Sequence, residues 1–257
     1  MRWFIRPENT AHQLRVAPRL ASWDKADHPD QVRLREYLDD TKSLLAGPYT
    51  EGPWALRLDV DLPAGRDLLD MADLDNYAYL LAWHLRDRPD LVSVWCTKQH
   101  SERSFVRIEA ASETAAPADV LVARTTASSS SVAYKQQIHA AVAGAQQLPE
   151  GAVRLELSFT VGPRRNWLNL WKQTIDSLDP ILGRTYSNRA WHPRDGRITE
   201  LGMHVAVDPT FGYEVVVGIA AASVNPAAEV VEQPGTRPQR PSAAMRRPAP
   251  PDIRRLS

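Results

Sequence analysis

Hydrophobic and charged residues alternate along two segments of the chain, residues 54–60 and 153–159. In the first segment, single charged residues separate Leu56, Leu58 and Val60. A period of two predicts a β-strand with one buried face. Further along the chain, each segment is followed by apolar residues at intervals of three and four, which predicts a helix with one apolar side.

The predicted elements occur in the same order in two parts of the chain, which we call the first block (residues 33–113) and the second block (residues 132–224). In each block a helix precedes the strand, a second helix follows it, and two strands complete the block. We therefore predict an α+β fold of two tandem units, each a mostly antiparallel sheet with helices packed on one side. In the first block the predicted elements are residues 33–45, 54–60, 76–86, 91–98 and 104–110. In the second block they are residues 132–145, 153–159, 166–178, 198–207 and 213–219.

Three segments lie outside the blocks. Residues 1–32 form an N-terminal extension, and residues 114–131 form a linker whose apolar stretch, residues 120–123, favours a strand. Residues 225–257 contain seven prolines and six arginines against three acids, so we predict a disordered tail. Two interpretations of the tail stay open: it binds nucleic acid or a protein partner, or it is an inert, solubilising end.

Composition limits the class of protein. The chain has 257 residues, 31 Lys and Arg against 31 Asp and Glu, and 43% hydrophobic residues, which predicts a packed core. Zero net charge means that a surface for nucleic acid has to arise from local segregation of charge. No apolar run reaches the roughly 18 residues of a membrane helix, no secretory signal is recognisable, and the single Cys96 excludes an internal disulfide. We expect a cytoplasmic protein with no membrane partner.

Two carboxylates, Asp73 and Asp75, stand at the start of a predicted helix, followed by Asn76. One interpretation is helix capping, because Asp and Asn are common N-caps and acids suit the first turn. The other is Mg²⁺ binding, because this ion prefers one or two carboxylates together with water and phosphate oxygens.

The second block carries a different part of the same pattern. Aligned with the first block, Asn166 and Leu168 replace the two acids, while Asn169 is kept and Lys172 stands where the first block has Tyr79. An acid precedes the next strand in both blocks. These acids are Asp90 and Asp195.

An Asp-x-Asp-Asn-x-x-Lys run that opens a helix, with an acid before the next strand, resembles the RusA-type Holliday-junction resolvases. The resemblance covers residues 33–111 and 132–222. It implies a small α+β, Mg²⁺-dependent endonuclease that acts as a homodimer on branched DNA. It also implies that Mg²⁺ is held by Asp73, Asp75 and Asp90, and that the catalytic residues are Asp73, Asp75, Lys172 and Asp195.

Neither block alone has all the acids and the lysine of the resolvase pattern. Three interpretations follow. In the first, the chain is a fused pseudo-dimer whose first block still cleaves nucleic acid. In the second, the blocks share a composite site, which requires their helix starts to face each other. In the third, both sites have decayed and the fold serves binding or assembly. The missing lysine in the first block and the missing paired acids in the second favour this third interpretation slightly.

Basic and aromatic residues of the second block offer a surface for nucleic acid. Trp167 and Trp171 lie one helical turn apart, where core packing is the first interpretation and base stacking the second. The basic residues predicted to contact phosphates are Arg164, Arg165, Lys172, Arg194 and Arg197, with an ordinary solvated face as the alternative.

Together these features predict a nucleic-acid-binding protein that resembles a branched-DNA endonuclease, with cleavage left open. DNA is the expected partner, and Mg²⁺ is the expected cofactor if the protein cleaves. The alternative is a non-catalytic interaction or scaffold protein of a larger assembly. An enzyme needs Asp73 and Asp75 exposed, close together and near positive charge, whereas a scaffold needs neither.

Overall fold

The computed structural model describes residues 1–20, 25–47, 51–70 and 72–224. Trp23 and the predicted disordered tail, residues 225–257, lie outside the described residues. The strands are β1 (Trp3–Phe4), β2 (His12–Gln13), β3 (Trp54–Leu62), β4 (Leu91–His100), β5 (Phe105–Ala110), β6 (Glu113–Thr114), β7 (Leu121–Thr125), β8 (Val153–Val161), β9 (Ile198–Val207) and β10 (Val215–Ser223). The α-helices are α1 (Pro29–Leu44), α2 (Leu74–His84), α3 (Val132–Val142), α4 (Trp171–Ile175) and α5 (Asp179–Leu182).

Strands from both blocks form one eight-stranded sheet with the order β2-β5-β3-β4-β9-β8-β10-β7. Neighbouring strands are antiparallel except β3–β4 and β8–β9, which are parallel. A separate antiparallel pair joins β1 to β6. The mixed α+β class predicted from the sequence is confirmed.

The strand order is mirrored about the centre of the sheet. From the centre outwards it is β4-β3-β5-β2 on one side and β9-β8-β10-β7 on the other. Each half of the sheet therefore contains the strands of one block, with one further strand at its outer edge. The outermost strands β2 and β7 come from the predicted extension and the predicted linker, and each pairs with the last strand of a block.

One element of the second block differs from its prediction. The helix expected at residues 166–178 is a 3₁₀ turn, Trp167–Leu170, followed by α4, and the separate helix α5 comes after it. The side chain of Asn166 caps the 3₁₀ turn by accepting a hydrogen bond from the Leu168 amide at 3.1 Å. Pro180 lies in the first turn of α5, where its missing N–H is tolerated.

The alternating strand residues divide the sheet into two faces. The apolar residues of β3, with their counterparts in β8, are almost fully buried in one core with residues of α1 to α4. On the opposite face, charged residues of β3 pair with neighbouring side chains. Asp59 forms ion pairs with Arg57 and Arg107 and accepts a hydrogen bond from the Thr97 hydroxyl. Ion pairing makes the burial of this carboxylate tolerable.

The N-terminal segment covers the centre of this second face. Trp3 and Phe4 pack against the ring of His204, which is buried and contacts Trp95 from the other side. Trp95 lies across Gly202 on the adjacent strand, and a Cβ at Gly202 would be 2.9 Å from the indole ring. The packing of the Trp95 ring over β9 therefore depends on a glycine at this position.

We expect Gly202→Ala to lower the free energy of unfolding by about 1–3 kcal/mol, because the added methyl overpacks a rigid indole. Chemical denaturation measured by far-UV circular dichroism checks this value. Gly144→Ala is the matched control, since no atom lies within 4 Å of the new methyl and its φ is not positive. Equal loss of stability in both variants would contradict this account of the Trp95–Gly202 contact.

Candidate composite acidic site

Asp73 and Asp75 lie at the start of α2, after a strained residue. Ala72 has φ 67°, a left-handed conformation that is unusual for a residue with a Cβ. Asp73 occupies the N-cap position, yet its side chain makes no capping hydrogen bond to the helix backbone. Its carboxylate instead accepts a bond from the Asn76 amide group at 3.3 Å. Helix capping therefore does not account for the Asp73 side chain.

Asp75 is a buried acid in an unfavourable electrostatic environment. It is 4% exposed. Burial raises its pKa to about 6; the positive charge of Lys172 opposes this rise, and the charges of Asp73 and Asp176 add to it. A cation of the second block thus acts on an acid of the first.

Asp195 joins the same charge cluster from the second block. It begins the 3₁₀ turn Asp195–Arg197 immediately before β9. Burial raises its pKa to about 7, and the charges of Asp73 and Asp75 contribute to the rise. Asp195 also lines one cleft together with Asp73. Asp195 therefore lies beside the paired acids of the other block.

Lys172 completes the set. It projects from α4, is partly exposed, and donates to Asp176 at 3.3 Å. Burial lowers its pKa, but the carboxylates of Asp75, Asp176 and Asp195 together hold the pKa above the ordinary value of a lysine. Lys172 is therefore positively charged beside the acid cluster. We call Asp73, Asp75, Lys172 and Asp195 the composite site.

Lys98, which the sequence analysis did not select, connects the loops that carry these acids. Its side chain is buried on β4 and donates to the carbonyls of Ala72 at 3.2 Å and Gly196 at 2.5 Å. Burial lowers its pKa to about 8, against the opposing effect of nearby carboxylates led by Asp73. A signal was present in the sequence, because Lys98 continues the buried positions Val94 and Cys96 at a period of two.

Gly196 lets the same two loops approach. A Cβ at this position would be 2.9 Å from the carbonyl carbon of Asp70 and 3.2 Å from the carbonyl oxygen of Leu69. The backbone before α2 therefore packs directly on the backbone before β9. This contact brings Asp195 to the start of α2.

Two clefts open beside the composite site. The acidic cleft, about 770 Å³, is lined by residues that include Asp67, Asp70, Asp73, Asp195, Arg184 and Arg194. The aromatic cleft, about 490 Å³, is lined by residues that include Asp75, Tyr79, Trp171 and Lys172. The composite site therefore contributes side chains to both clefts.

Asp90, a predicted metal ligand, lies elsewhere. It lines a third cleft together with Asn166, Trp167 and Leu168. Asn166 and Leu168 are the residues that align with Asp73 and Asp75. The acid before the central strand of each block thus faces the helix start of the other block, and it is Asp195 that faces the helix start with the paired acids.

The predicted basic surface is only partly present. Arg197 is 1% exposed, and its guanidinium donates to backbone carbonyls including that of Gly151 at 2.8 Å. The prediction that it contacts a phosphate is therefore wrong, because the charge is used inside the protein to hold neighbouring loops. Arg194 donates to Glu150 at 2.6 Å. Arg164 and Arg165 line a separate cleft with Phe211 and Tyr213.

The two tryptophans of the second block contribute to packing. Trp171 is 1% exposed and belongs to the hydrophobic core, and half-buried Trp167 packs against that core. Their rings meet edge to face, with centroids 5.0 Å apart. Core packing, the first of the two interpretations, therefore describes both residues.

The donor chemistry of the composite site suits Mg²⁺. The charge of Asp73 adds to the raised pKa of both Asp75 and Asp195, and a divalent cation relieves such repulsion. Within the described residues, no group of three or more His, Cys, Asp or Glu side chains converges as metal ligands. Mg²⁺ requires only one or two protein carboxylates when water and substrate phosphate supply the other ligands, so Asp73 and Asp75 are the residues that would hold it.

No model of a known protein family matches this chain, and no curated protein or solved structure matches it. Among the described helices, none is long and apolar enough to cross a membrane.

We expect Asp195→Asn to stabilise the metal-free protein at pH 8 but not at pH 4. The pKa of Asp195 is about 7 in the folded protein against an ordinary value of 3.8, so ionisation destabilises the fold as pH rises from about 4 to 7. The gain at pH 8 is about 1–2 kcal/mol after allowance for partial exposure. Thermal unfolding in EDTA across this pH range measures it.

Asp208→Asn is the control for this titration. Asp208 accepts hydrogen bonds from Thr210, and these bonds lower its pKa, so its ionised form stabilises the fold. This variant should gain no stability as pH rises. A pH-independent effect of Asp195→Asn would show that the carboxyl is not held in a repulsive cluster.

Proposed function

We propose that this chain is a nucleic-acid-binding protein that cleaves branched DNA with Mg²⁺ at the composite site. The observation that carries the proposal is the packing of the loop before β9 on the loop before α2, which places Asp73 and Asp195 in one cleft and Asp75 and Lys172 in the neighbouring one. Each block by itself lacks part of the acid and lysine set of the RusA-type resolvases. Taken across the two blocks, one full set is present.

We further propose that the two blocks are RusA-like units fused in one chain. The mirrored strand order about β4 and β9 supports this proposal, since a twofold relation between duplicated units gives that order. A homodimer of two single units can be replaced by one chain in which both units are fused, which is a pseudo-dimer. The fused form allows one of its two sites to lose its acids while the other is retained.

The energetics of the acid cluster favour an active site over a scaffold. Burial of like-charged carboxylates raises their pKa and destabilises the folded protein at neutral pH. Groups whose pKa is shifted by burial and by neighbouring charges are common where chemistry is performed. A surface that only binds a partner does not require this repulsive arrangement.

The residues of the composite site have distinct roles in the proposed reaction. Asp73 and Asp75 hold the metal, which when bound supplies Lewis-acid polarisation of the phosphate and activation of water. Asp195, with a pKa of about 7, is suited to accept a proton near neutral pH. Lys172 stabilises the negative charge that develops on the phosphate oxygens. Arg184 and Arg194 line the acidic cleft and offer further positive charge to the DNA backbone.

We expect metal-dependent cutting of a labelled four-way junction, and its loss in the Asp73→Asn/Asp75→Asn double variant. Asp195→Asn and Lys172→Ala should each reduce the rate by about 100-fold or more, because each removes charge or proton transfer from the reacting phosphate. Single-turnover cleavage of the junction, beside duplex and single strands, with and without Mg²⁺ or Mn²⁺, measures these rates.

Asp90→Asn is the matched control, because Asp90 stands at the corresponding place in the other block but faces Asn166 and Leu168. Its rate should equal that of the unmodified protein. Loss of activity in Asp90→Asn with retention in Asp195→Asn would refute the composite site. Junction binding without cuts in any metal would leave a nucleic-acid binder, and absence of binding would favour the scaffold alternative.

A single composite site predicts one nick per binding event. We expect a supercoiled plasmid with an extruded cruciform to become an open circle, because the first nick relaxes the plasmid and the cruciform is reabsorbed. Gel separation of open-circular and linear products measures the outcome. A linear first product at low protein concentration would mean two coordinated cuts and would contradict the assignment of one site to each chain.

A further inference from the structure

We propose that the aromatic cleft binds one unstacked nucleotide of the substrate, next to the composite site. The proposal rests on the proposed function, since DNA is taken as the ligand, and it identifies the substrate as DNA with unpaired bases. The cleft volume of about 490 Å³ lies within the roughly 300–1,000 Å³ of pockets that enclose small ligands.

Aromatic packing holds Tyr79 in a fixed orientation at this cleft. The ring of Tyr79 stacks on Trp83 with 6.1 Å between centroids and 15° between planes. Trp171 meets the same ring edge to face at 6.4 Å and 82°. Because Tyr79 is held on two sides and lines the cleft, its ring is a rigid platform for stacking a base.

Polar groups around the platform match the edge of a base. Two amides and two hydroxyls line the cleft, from Asn76, Asn169, Ser129 and Ser130. Trp171 also lines it, and its buried indole N–H has no hydrogen-bond partner among the described residues. Buried donors are normally paired, so this N–H is an unused donor available to an acceptor on a ligand.

Charge and position favour a nucleotide over an apolar peptide. Lys172 is partly exposed at the cleft and supplies positive charge for a phosphate. Asp75 lines the same cleft and belongs to the composite site, so a base held here has its phosphate near the acids. The lysine and the amides are groups that an apolar helix of a partner protein would leave without hydrogen-bond partners.

This placement determines which DNA structures fit. Bases inside a regular duplex are stacked and paired, and moving one into a pocket costs a few kcal/mol, less where the base is already unpaired. The nucleotides at a junction, a flap or a single strand are therefore preferred over an intact duplex.

The test is binding of DNA by the full chain in EDTA, so that no cleavage occurs. The probes are a four-way junction, a single strand and a duplex, each with 2-aminopurine as a reporter of base stacking. We expect Tyr79→Ala to weaken binding of the junction and single strand by roughly 5- to 100-fold, the range for loss of one base–aromatic stack. Duplex binding should stay unchanged, and Tyr79→Phe should bind like the unmodified protein.

Two further variants keep the result interpretable. Ser130→Trp adds bulk at an exposed position of the cleft without removing packing, and it should weaken binding of the same two probes. Val122→Ala is the control, because Val122 is an exposed apolar residue, 52% exposed, on the edge strand β7. Circular dichroism confirms that each variant is folded.

Each outcome separates this inference from the proposed function. If Tyr79→Ala and Ser130→Trp bind and cut junctions like the unmodified protein, the nucleotide site is refuted while the nuclease stands. If both weaken binding of unpaired DNA but no metal supports cutting, the nucleotide site stands and the cleavage proposal fails. Equal weakening for duplex and single strand would also overturn the inference, since a base pocket requires an unstacked base.

Discussion

Strands β4 and β9 pair antiparallel between Ser93–Thr97 and Glu200–His204, and this pairing joins the two blocks into one sheet. The pairing brings the loop before β9 beside the start of α2. Gly202 on β9 leaves the space in which the ring of Trp95 from β4 packs. The position of every residue in the composite site follows from this central contact.

Strong opposing charges meet where the blocks join. Asp73, Asp75 and Asp195 repel one another, and burial increases the energy of that repulsion. The positive charges of Lys172 and Lys98 oppose this repulsion. Lys98 also donates hydrogen bonds to the backbone of both loops that carry the acids. The fold therefore holds the acids together against their repulsion, as preorganised sites for a cation or a phosphate do.

The contact between the two blocks differs at its two ends. At one end the acids and the lysine are brought together from different blocks, and at the other Asp90 faces Asn166 and Leu168. If the proposed relation to the RusA-type resolvases holds, the substitutions within each block leave one full set and remove the other. Of the three interpretations open at the level of the sequence, this arrangement favours the composite one.

Periodicity in the sequence determined the number, type and order of most elements, because alternation of apolar residues reflects local burial on a strand or helix face. The resemblance to the RusA-type resolvases, rather than periodicity, singled out Asp73, Asp75, Lys172 and Asp195 as candidates, and it left a composite site as one of three interpretations. Only the tertiary structure decided that Asp195 rather than Asp90 joins the paired acids, and that Arg197 is internal. Those facts depend on which strands pair and which loops pack, contacts between residues far apart in the chain that no local pattern encodes.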